Sequence, residues 1–513
     1  MTNYVAAANA TYTAPGQAYT FTTFGDRLQV LGGVALNNLA ADEVVDSSSA
    51  LLEGSFNNLS VVNAGSIYSF VTTNDALFLK GFGNSVQNSG VIAALGASGT
   101  SAIYINNTSS INYNSVINTG DVIGGSPTSS FATISGGLQS INNTGSIFNT
   151  NTANPFAISV TGLRLINKGE IAGAVSVGAV GPSTIDNFAG ALMTGSVSVG
   201  GALTLNNGGA IQGSLALGVG NDTVTNSGRM VGAVNLNAGT NSFTNSGELT
   251  GALTSLFDAD TLMNTGVING DVNLGAGNNV VTTPGVIFGS LTTGGGGDTI
   301  NLAGGRITGA IVAGLGADTI TGGDDREVIY GDDAASTDVN GGIDVIGAGG
   351  GDDLVFGGYG ADTVTGGYGD DVLNGGYGGD ALYGNQGDDV LYGNQDNDWL
   401  HGGQANDVIY GGQGNDIING GVGDDVLYGN LGDDAFIFTS QGFGHDVIAD
   451  FSRPNGVGDV IQFNPGIFAS FADLQAHAIQ MPTGVLLYDA AGDTVFIVGL
   501  TTGGLTADMF VIG

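Results

Sequence analysis

Cysteine is absent from this 513-residue chain, proline occurs 8 times, histidine 3 times, and Lys and Arg together number 8. The missing cysteine excludes a disulfide framework and a thiolate metal site. The few basic residues stand against 46 Asp and Glu, and the net charge of −38 at pH 7 repels nucleic acid and anionic membrane surfaces. No window of about 18 apolar residues occurs, so no transmembrane segment is expected. Met1-Thr2-Asn3-Tyr4-Val5 lacks the basic and apolar regions of a cleaved signal, so any export is expected to use another route. His401, His445 and His477 all lie beyond residue 400. The preceding residues therefore supply neither a His general base nor a His metal ligand, and no His-Glu-x-x-His or Gly-x-Ser-x-Gly motif is present.

Glycine, at 94 residues, is what the chain has in excess, and with so little proline this is not a collagen-like pattern. The acids are concentrated: 24 of the 46 lie between Asp318 and Asp434, against 15 in the first 310 residues. A hydrophobic content of 42% argues against a merely disordered acidic segment. A cation is the partner such a charge distribution asks for.

Two repeat systems organise the chain. The first carries Asn-x-Gly-x-(Ile/Val/Leu/Met), as in Asn63-Ala-Gly-Ser-Ile67, Asn88-Ser-Gly-Val-Ile92, Asn118-Thr-Gly-Asp-Val122, Asn143-Thr-Gly-Ser-Ile147 and Asn167-Lys-Gly-Glu-Ile171. Its glycines settle to a period of 19 at Gly190, Gly209, Gly228, Gly247, Gly266 and Gly285. Short runs alternating polar and apolar residues lie between them, the signature of strands. At about 3.3 Å per residue, roughly 18–25 residues close one coil of a solenoid. The fold expected is a right-handed parallel β-helix, with its Asn residues stacked at a tight turn where Asn tolerates the left-handed conformation and can bond backbone groups. Antiparallel hairpins would leave the fixed phase unexplained.

The second system has period 9 and runs from Ala348-Gly-Gly-Gly-Asp-Asp353-Leu-Val-Phe356 to Gly429-Asn-Leu-Gly-Asp-Asp434-Ala-Phe-Ile437. Its unit is Gly-Gly-x-Gly-x-Asp-x-U-x, with U a large apolar residue. Glycines at positions 1, 2 and 4 permit positive φ, so carbonyl oxygens can curl toward one point. Asp at position 6 adds a charged oxygen, and two stacked turns can reach the six to eight oxygens that Ca²⁺ takes. Position 8 (Val355, Val364, Leu373, Leu382, Leu391, Leu400, Ile409, Ile418, Leu427, Phe436) forms the core row. Asp353, Asp371, Asp389, Asp407 and Asp425 should line one edge, and Asp362, Asp380, Asp398, Asp416 and Asp434 the other. Asp318, in the half-formed unit Gly314-Leu-Gly-Ala-Asp318-Thr-Ile320, joins them as a candidate ligand. Asp396 and Ala405 occupy position 4, which puts calcium binding at those two turns in question. About ten ions are expected, and because two acidic ladders repel one another without them, folding should be coupled to binding.

These residues resemble the repeats-in-toxin, or haemolysin-type, calcium-binding family. Asp446-Val-Ile-Ala-Asp450-Phe451 and Asp459-Val-Ile461 resemble its downstream block, and Leu505-Thr-Ala-Asp508-Met-Phe-Val-Ile-Gly513 resembles its uncleaved C-terminal signals for type I export. The resemblance implies a parallel β-roll that binds Ca²⁺ outside the cell. A β-helix followed by such repeats also resembles the layout of the alginate epimerases. Their chemistry uses His, Tyr, Asp and Lys, whereas this helix offers no His and only Lys80 and Lys168. Arg164, Arg229 and Arg306 leave a lyase-like calcium and arginine mechanism as the enzymatic alternative.

The expected organisation is all-β: residues 1–60 an N-terminal cap or anchoring segment, 61–312 a parallel β-helix of about 19-residue rungs, 313–437 the calcium-binding β-roll, and 438–513 a C-terminal cap with the secretion signal. Residues 322–347 break the phase and should hold a bulged rung or loop. Tyr392, Tyr410 and Tyr428 recur at one face, with Trp399 nearby and His401 as a surface substituent. The expected function is that of a secreted, calcium-binding structural or adhesive protein at a bacterial cell surface, resembling surface-layer proteins and adhesins. Its expected partners are calcium, its own copies in a sheet or filament, and a surface polysaccharide. The alternative is a calcium-dependent carbohydrate-active enzyme.

Overall fold

In a computed structural model, six short strands are described among the first 59 residues, together with residues 60–512 apart from 70–75, 81–82, 95–100, 107–112, 125–131, 152–154, 333–340 and 454–457. Two compact units result: Met1–Thr261 with Gly266–Gly270, and Leu262–Thr265 with Asp271–Gly513. Among the described residues one α-helix occurs, Phe471–Ala476, and no helix is long and apolar enough to cross a membrane.

The first unit is a solenoid of parallel strands. Ser85–Asn88 pairs with Ser60–Asn63 on one side and Asn114–Asn118 on the other, placing Val86 between Val61 and Val116. The same register carries Ile141, Leu165, Ile185, Leu205, Val224 and Phe243 into one fully buried column. Ile67, Ile92, Val122, Ile147 and Ile171 begin a second column on the other sheet. Alternation of inward and outward side chains makes each rung half apolar, and only stacking hides that half from water. The pairing reaches back to Asn3, since Asn3–Ala6 pairs with Arg27–Val30 and the latter with Ser60–Asn63. Ala10–Tyr12 likewise pairs with Ala35–Asn38 and the latter with Ser66–Ser69, while Tyr19–Thr20 pairs with Leu52–Gly54 and the latter with Leu77–Lys80; apart from these strands, the stretch expected to cap or anchor the chain lies outside the described residues.

The asparagines stack as expected, and of the two properties expected to select them, the bonding of backbone groups is used and the left-handed conformation is not. From Asn63 through Asn88, Asn118, Asn143, Asn167, Asn187, Asn207 and Asn226 to Asn245, each Nδ2 donates to the next Oδ1 at 2.7–2.9 Å. Most of the same amides also donate to a backbone carbonyl of the next rung, as Asn187 does to Ala210 at 3.2 Å. None of these residues has positive φ. Their tolerance of the left-handed region is therefore unused; what selects Asn is a side chain carrying both donor and acceptor, so that a buried column satisfies itself. The neighbouring glycines are needed for close approach, because a Cβ on Gly120 would stand 2.1 Å from the Gly90 carbonyl oxygen. Asn187→Ala strands the Asn167 amide and the Asn207 carbonyl in the interior. It should cost about 2–4 kcal/mol, read as a lower denaturant midpoint in calcium; an unchanged midpoint would show the ladder to be dispensable.

In the second unit each nonapeptide makes one six-residue strand, such as Val372–Tyr377, that pairs in parallel with the strand 18 residues on. Alternate units thus build two sheets, one on each face of a β-roll. Val355, Val364, Leu373, Leu382, Leu391, Leu400, Ile409, Ile418, Leu427 and Phe436 are all fully buried between them. Beyond the repeats, Val460–Phe463 continues the pairing with Ala435–Phe438, and Phe438, Phe463, Phe468 and Phe510 pack as an aromatic cluster. There antiparallel pairing appears, between Ala478–Met481 and Gly484–Tyr488 and between the latter and Thr494–Val498. The short helix Phe471–Ala476 starts on Ser470, whose hydroxyl accepts from the Asp473 N–H.

Candidate metal centre

The position-6 aspartates form two columns along the roll. The Asp353 N–H donates to Asp371 Oδ1 at 2.9 Å, and the chain of bonds continues through Asp389 and Asp407 to Asp425. Asp362, Asp380, Asp398, Asp416 and Asp434 repeat this on the other edge. The structure thus brings these ten residues together in the two sets that the 18-residue alternation predicts. Asp318 belongs to the second column, reached from Asp362 through Asp344.

Five further members were not among the candidates. Asp298 extends the second column, its N–H donating to Asp318 Oδ1 at 2.7 Å. Asp344 stands 18 residues before Asp362 in Asp344-Val-Ile346, so its phase was readable although its glycine frame is incomplete. Glu327 heads the first column, its N–H donating to Asp353 Oδ1. It lies 26 residues upstream, because the rung between is longer by eight, and its Glu in place of Asp hid it further. The matching 26-residue step from Asp318 to Asp344 puts the extra length between Glu327 and Asp344, a stretch of which residues 333–340 lie outside the described residues. At the other end Asp425 bonds to Asp446 and Asp434 to Asp459, at spacings of 21 and 25.

Each repeat carboxylate is buried and half satisfied. Oδ1 accepts a backbone N–H, whereas Oδ2 of Asp353, Asp362, Asp371, Asp380, Asp389, Asp398, Asp407, Asp416, Asp425 and Asp434 accepts nothing from the protein. In the nine units from Gly357 to Gly429, Oδ2 lies over the glycine that opens its own unit, whereas Ala348 opens the first. A Cβ on Gly402 would stand 2.1 Å from Asp407 Oδ2 and 2.5 Å from the Gly420 carbonyl oxygen. A carboxylate oxygen and a carbonyl oxygen therefore flank space that any larger residue would fill.

This corrects the role expected for position 1. Positive φ occurs at position 2, as in Gly376 (116°), and at position 4, as in Gly378 (114°), but not at the position-1 glycines, which are demanded by the carboxylate beside them. Asn385, Asn394, Asp396, Ala405 and Asn430 reach φ of 81°, 80°, 77°, 80° and 67°. The two turns in question keep the left-handed bend, at a conformational cost of about 1–2 kcal/mol each.

Burial raises every one of these acids, the backbone hydrogen bond only partly offsets it, and neighbouring carboxylates add to the rise in most. Asp371 and Asp416 are pushed up to about 6, Asp389 and Asp434 to about 7, and Asp398 and Asp407 to about 8. Asp344 and Asp446, outside the regular repeats, are likewise pushed up to about 8. Such a column is stable only with protons or cations on it. Among the described residues no three Asp, Glu or His side chains converge on one point. A cation here would thus draw further ligands from backbone carbonyls, an all-oxygen set that suits Ca²⁺ and not Zn²⁺.

Residues 310–337, 338–373, 347–382, 365–400, 374–409 and 401–436 match the family model of the RTX calcium-binding nonapeptide repeat. Residues 310–436 are an RTX repeat array. The repeats bind calcium and fold as a parallel β-roll. Among solved structures, the extracellular lipase LipA from Serratia marcescens is similar at 19% identity with a TM-score of 0.18, over 40% of this chain and 40% of its own. At that score it carries no argument about this chain. No curated protein matches the sequence.

The array's geometry makes Gly402→Ala diagnostic. The added methyl must displace Asp407 Oδ2, so the calcium midpoint for folding should rise about tenfold. The position-9 change Asn419→Ala, beside the core row, should leave it in place. Calcium titration followed by circular dichroism distinguishes them, and equal midpoints would remove the steric role assigned to position 1.

Proposed function

We propose that this is a secreted structural or adhesive protein of a bacterial surface, whose RTX array folds and assembles when it meets extracellular Ca²⁺. The observation that carries the reading is the pair of buried aspartate columns with one unbonded oxygen per residue. Asp318 and the ten repeat aspartates from Asp353 to Asp434 would hold about ten ions, with Glu327, Asp344 and Asp446 extending the columns. When bound, calcium supplies the positive charge that lets the carboxylates stay ionised in the interior.

The surface role is supported by chemistry that favours contact over catalysis. Tyr368, Val422 and Leu431, all at position 3, are exposed on the roll's edges, where they offer apolar points for lateral association. The three histidines lie in the roll or after it, the lysines are few, and we assign no catalytic centre. The net charge of −38 disfavours nucleic acid as a partner. Electron microscopy of the purified chain tests this: ordered sheets or filaments are expected with Ca²⁺ and not with chelator. Dispersed monomers in both, together with turnover in polysaccharide assays, would favour the carbohydrate-active alternative.

A further inference from the structure

The two faces of the β-roll differ at position 9. On one, Tyr392, Tyr410 and Tyr428 lie directly over one another, with ring centroids 5.0 and 4.7 Å apart and planes within 13°. Those rings spend their faces on each other. On the other, the register places Tyr383 beside His401 and His401 beside Asn419, with Gln386 next to Gln404 in a parallel row. Here the face opens into a groove of about 380 Å³ that extends to Thr439 and Ser440.

The lining of this groove contains no charged residue, in a chain of net charge −38. Burial also lowers the His401 pKa, which favours the neutral imidazole. Its Nδ1 is buried yet bonded to nothing in the protein, so one polar atom at the floor lacks a partner. Phenol, imidazole and primary amides recur at the strand spacing of about 4.8 Å, a distance close to the advance of one pyranose unit in a polysaccharide. Flat rings suit the apolar faces of sugars, while amides can both donate to and accept from hydroxyls. An anionic ligand would meet the field of exposed Asp370, Asp388 and Asp424 on the neighbouring turns.

We propose that this groove binds an uncharged polysaccharide running along the stack of strands. Tyr383 and His401 contact sugar faces, and Asn419, Gln386 and Gln404 bond hydroxyl groups. The inference deepens the adhesive reading above and rests on it, because it names the chemical class of the surface partner.

Affinity electrophoresis of the full chain in millimolar Ca²⁺ tests it, with dextran, galactomannan and mixed-linkage β-glucan as neutral probes and alginate as the acidic one. At least one neutral polymer should retard the protein. Tyr383→Ala with His401→Ala should weaken that retardation about tenfold or more. Gln386→Ala with Gln404→Ala, at exposed positions where folding is not at stake, should weaken it as well. Tyr410→Ala on the opposite face should not, and circular dichroism establishes that each variant is folded. Retardation by none of the neutral polymers, retardation by alginate alone, or binding that survives both double variants overturns the proposal. Calcium-dependent assembly measured on the same preparation separates the two readings: assembly without glycan binding removes the groove and leaves the surface role standing.

Discussion

In chelator at pH 8 the RTX array is expected to lose most of its strand circular dichroism and the amide protection of residues 345–440, and to recover both on adding Ca²⁺. Each repeat aspartate is at most 3% exposed, and its Oδ2 has no donor. An uncompensated buried charge costs several kcal/mol. Ten of them exceed the roughly 5–15 kcal/mol by which a whole domain is stable. The fold therefore cannot persist with its carboxylates ionised and unpaired, and metal binding becomes folding free energy. The first unit should behave differently under the same conditions, because its buried column from Asn63 to Asn245 is neutral and self-satisfied. Hydrogen exchange resolves the two regions in one experiment. Equal protection of the array with and without calcium would sink the coupling.

Acidification should partly replace the metal. In the folded array Asp353, Asp380, Asp389 and Asp434 are pushed up to about 7, and Asp398 and Asp407 to about 8, by burial first and neighbouring charge second. In the unfolded chain they return to an ordinary value near 3.8. Between those limits the folded state holds more protons than the unfolded one, so stability falls as pH rises. Through these groups the metal-free array should thus be most stable below about pH 4, lose stability progressively between about pH 4 and 8, and be least stable above. With calcium the sign reverses, because the ion competes with those protons: its midpoint concentration should fall from pH 5.5 to pH 8, with protons released on binding. Calcium titrations across that range, with proton release followed in weak buffer, check both halves. A calcium midpoint independent of pH would mean that the columns are already ionised before the metal arrives.

Much of this was legible in the residues. The nine-residue phase, the apolar row from Val355 to Phe436 and the division of the aspartates into two edges all follow from one local rule, an unvarying coil of two units. Where the rung length changes, the rule fails while the stacking does not. Glu327 and Asp344 stay in their columns across 26-residue steps, as do Asp446 and Asp459 across 21 and 25, since a loop can lengthen without moving the strands that flank it. The period read along the chain is a property of connections; the column is a property of strand pairing.

The sequence by itself determined that aspartates and glycines would be gathered at regular turns around a calcium-loving chemistry, because each repeat repeats the same short-range geometry. Only the tertiary structure decided why particular residues are needed there. Position-1 glycine makes way for a carboxylate oxygen five residues on, and Asn63 to Asn245 are chosen for a donor and acceptor shared between rungs. Tyr383, His401 and Asn419 become one uncharged groove because strands 18 residues apart pair in register. The asparagine and groove contacts lie between rungs, at distances set by strand stacking that no single repeat contains, and the glycine that faces a carboxylate of its own unit is closed in on its other side by a carbonyl of the next rung, as Gly402 is by Gly420.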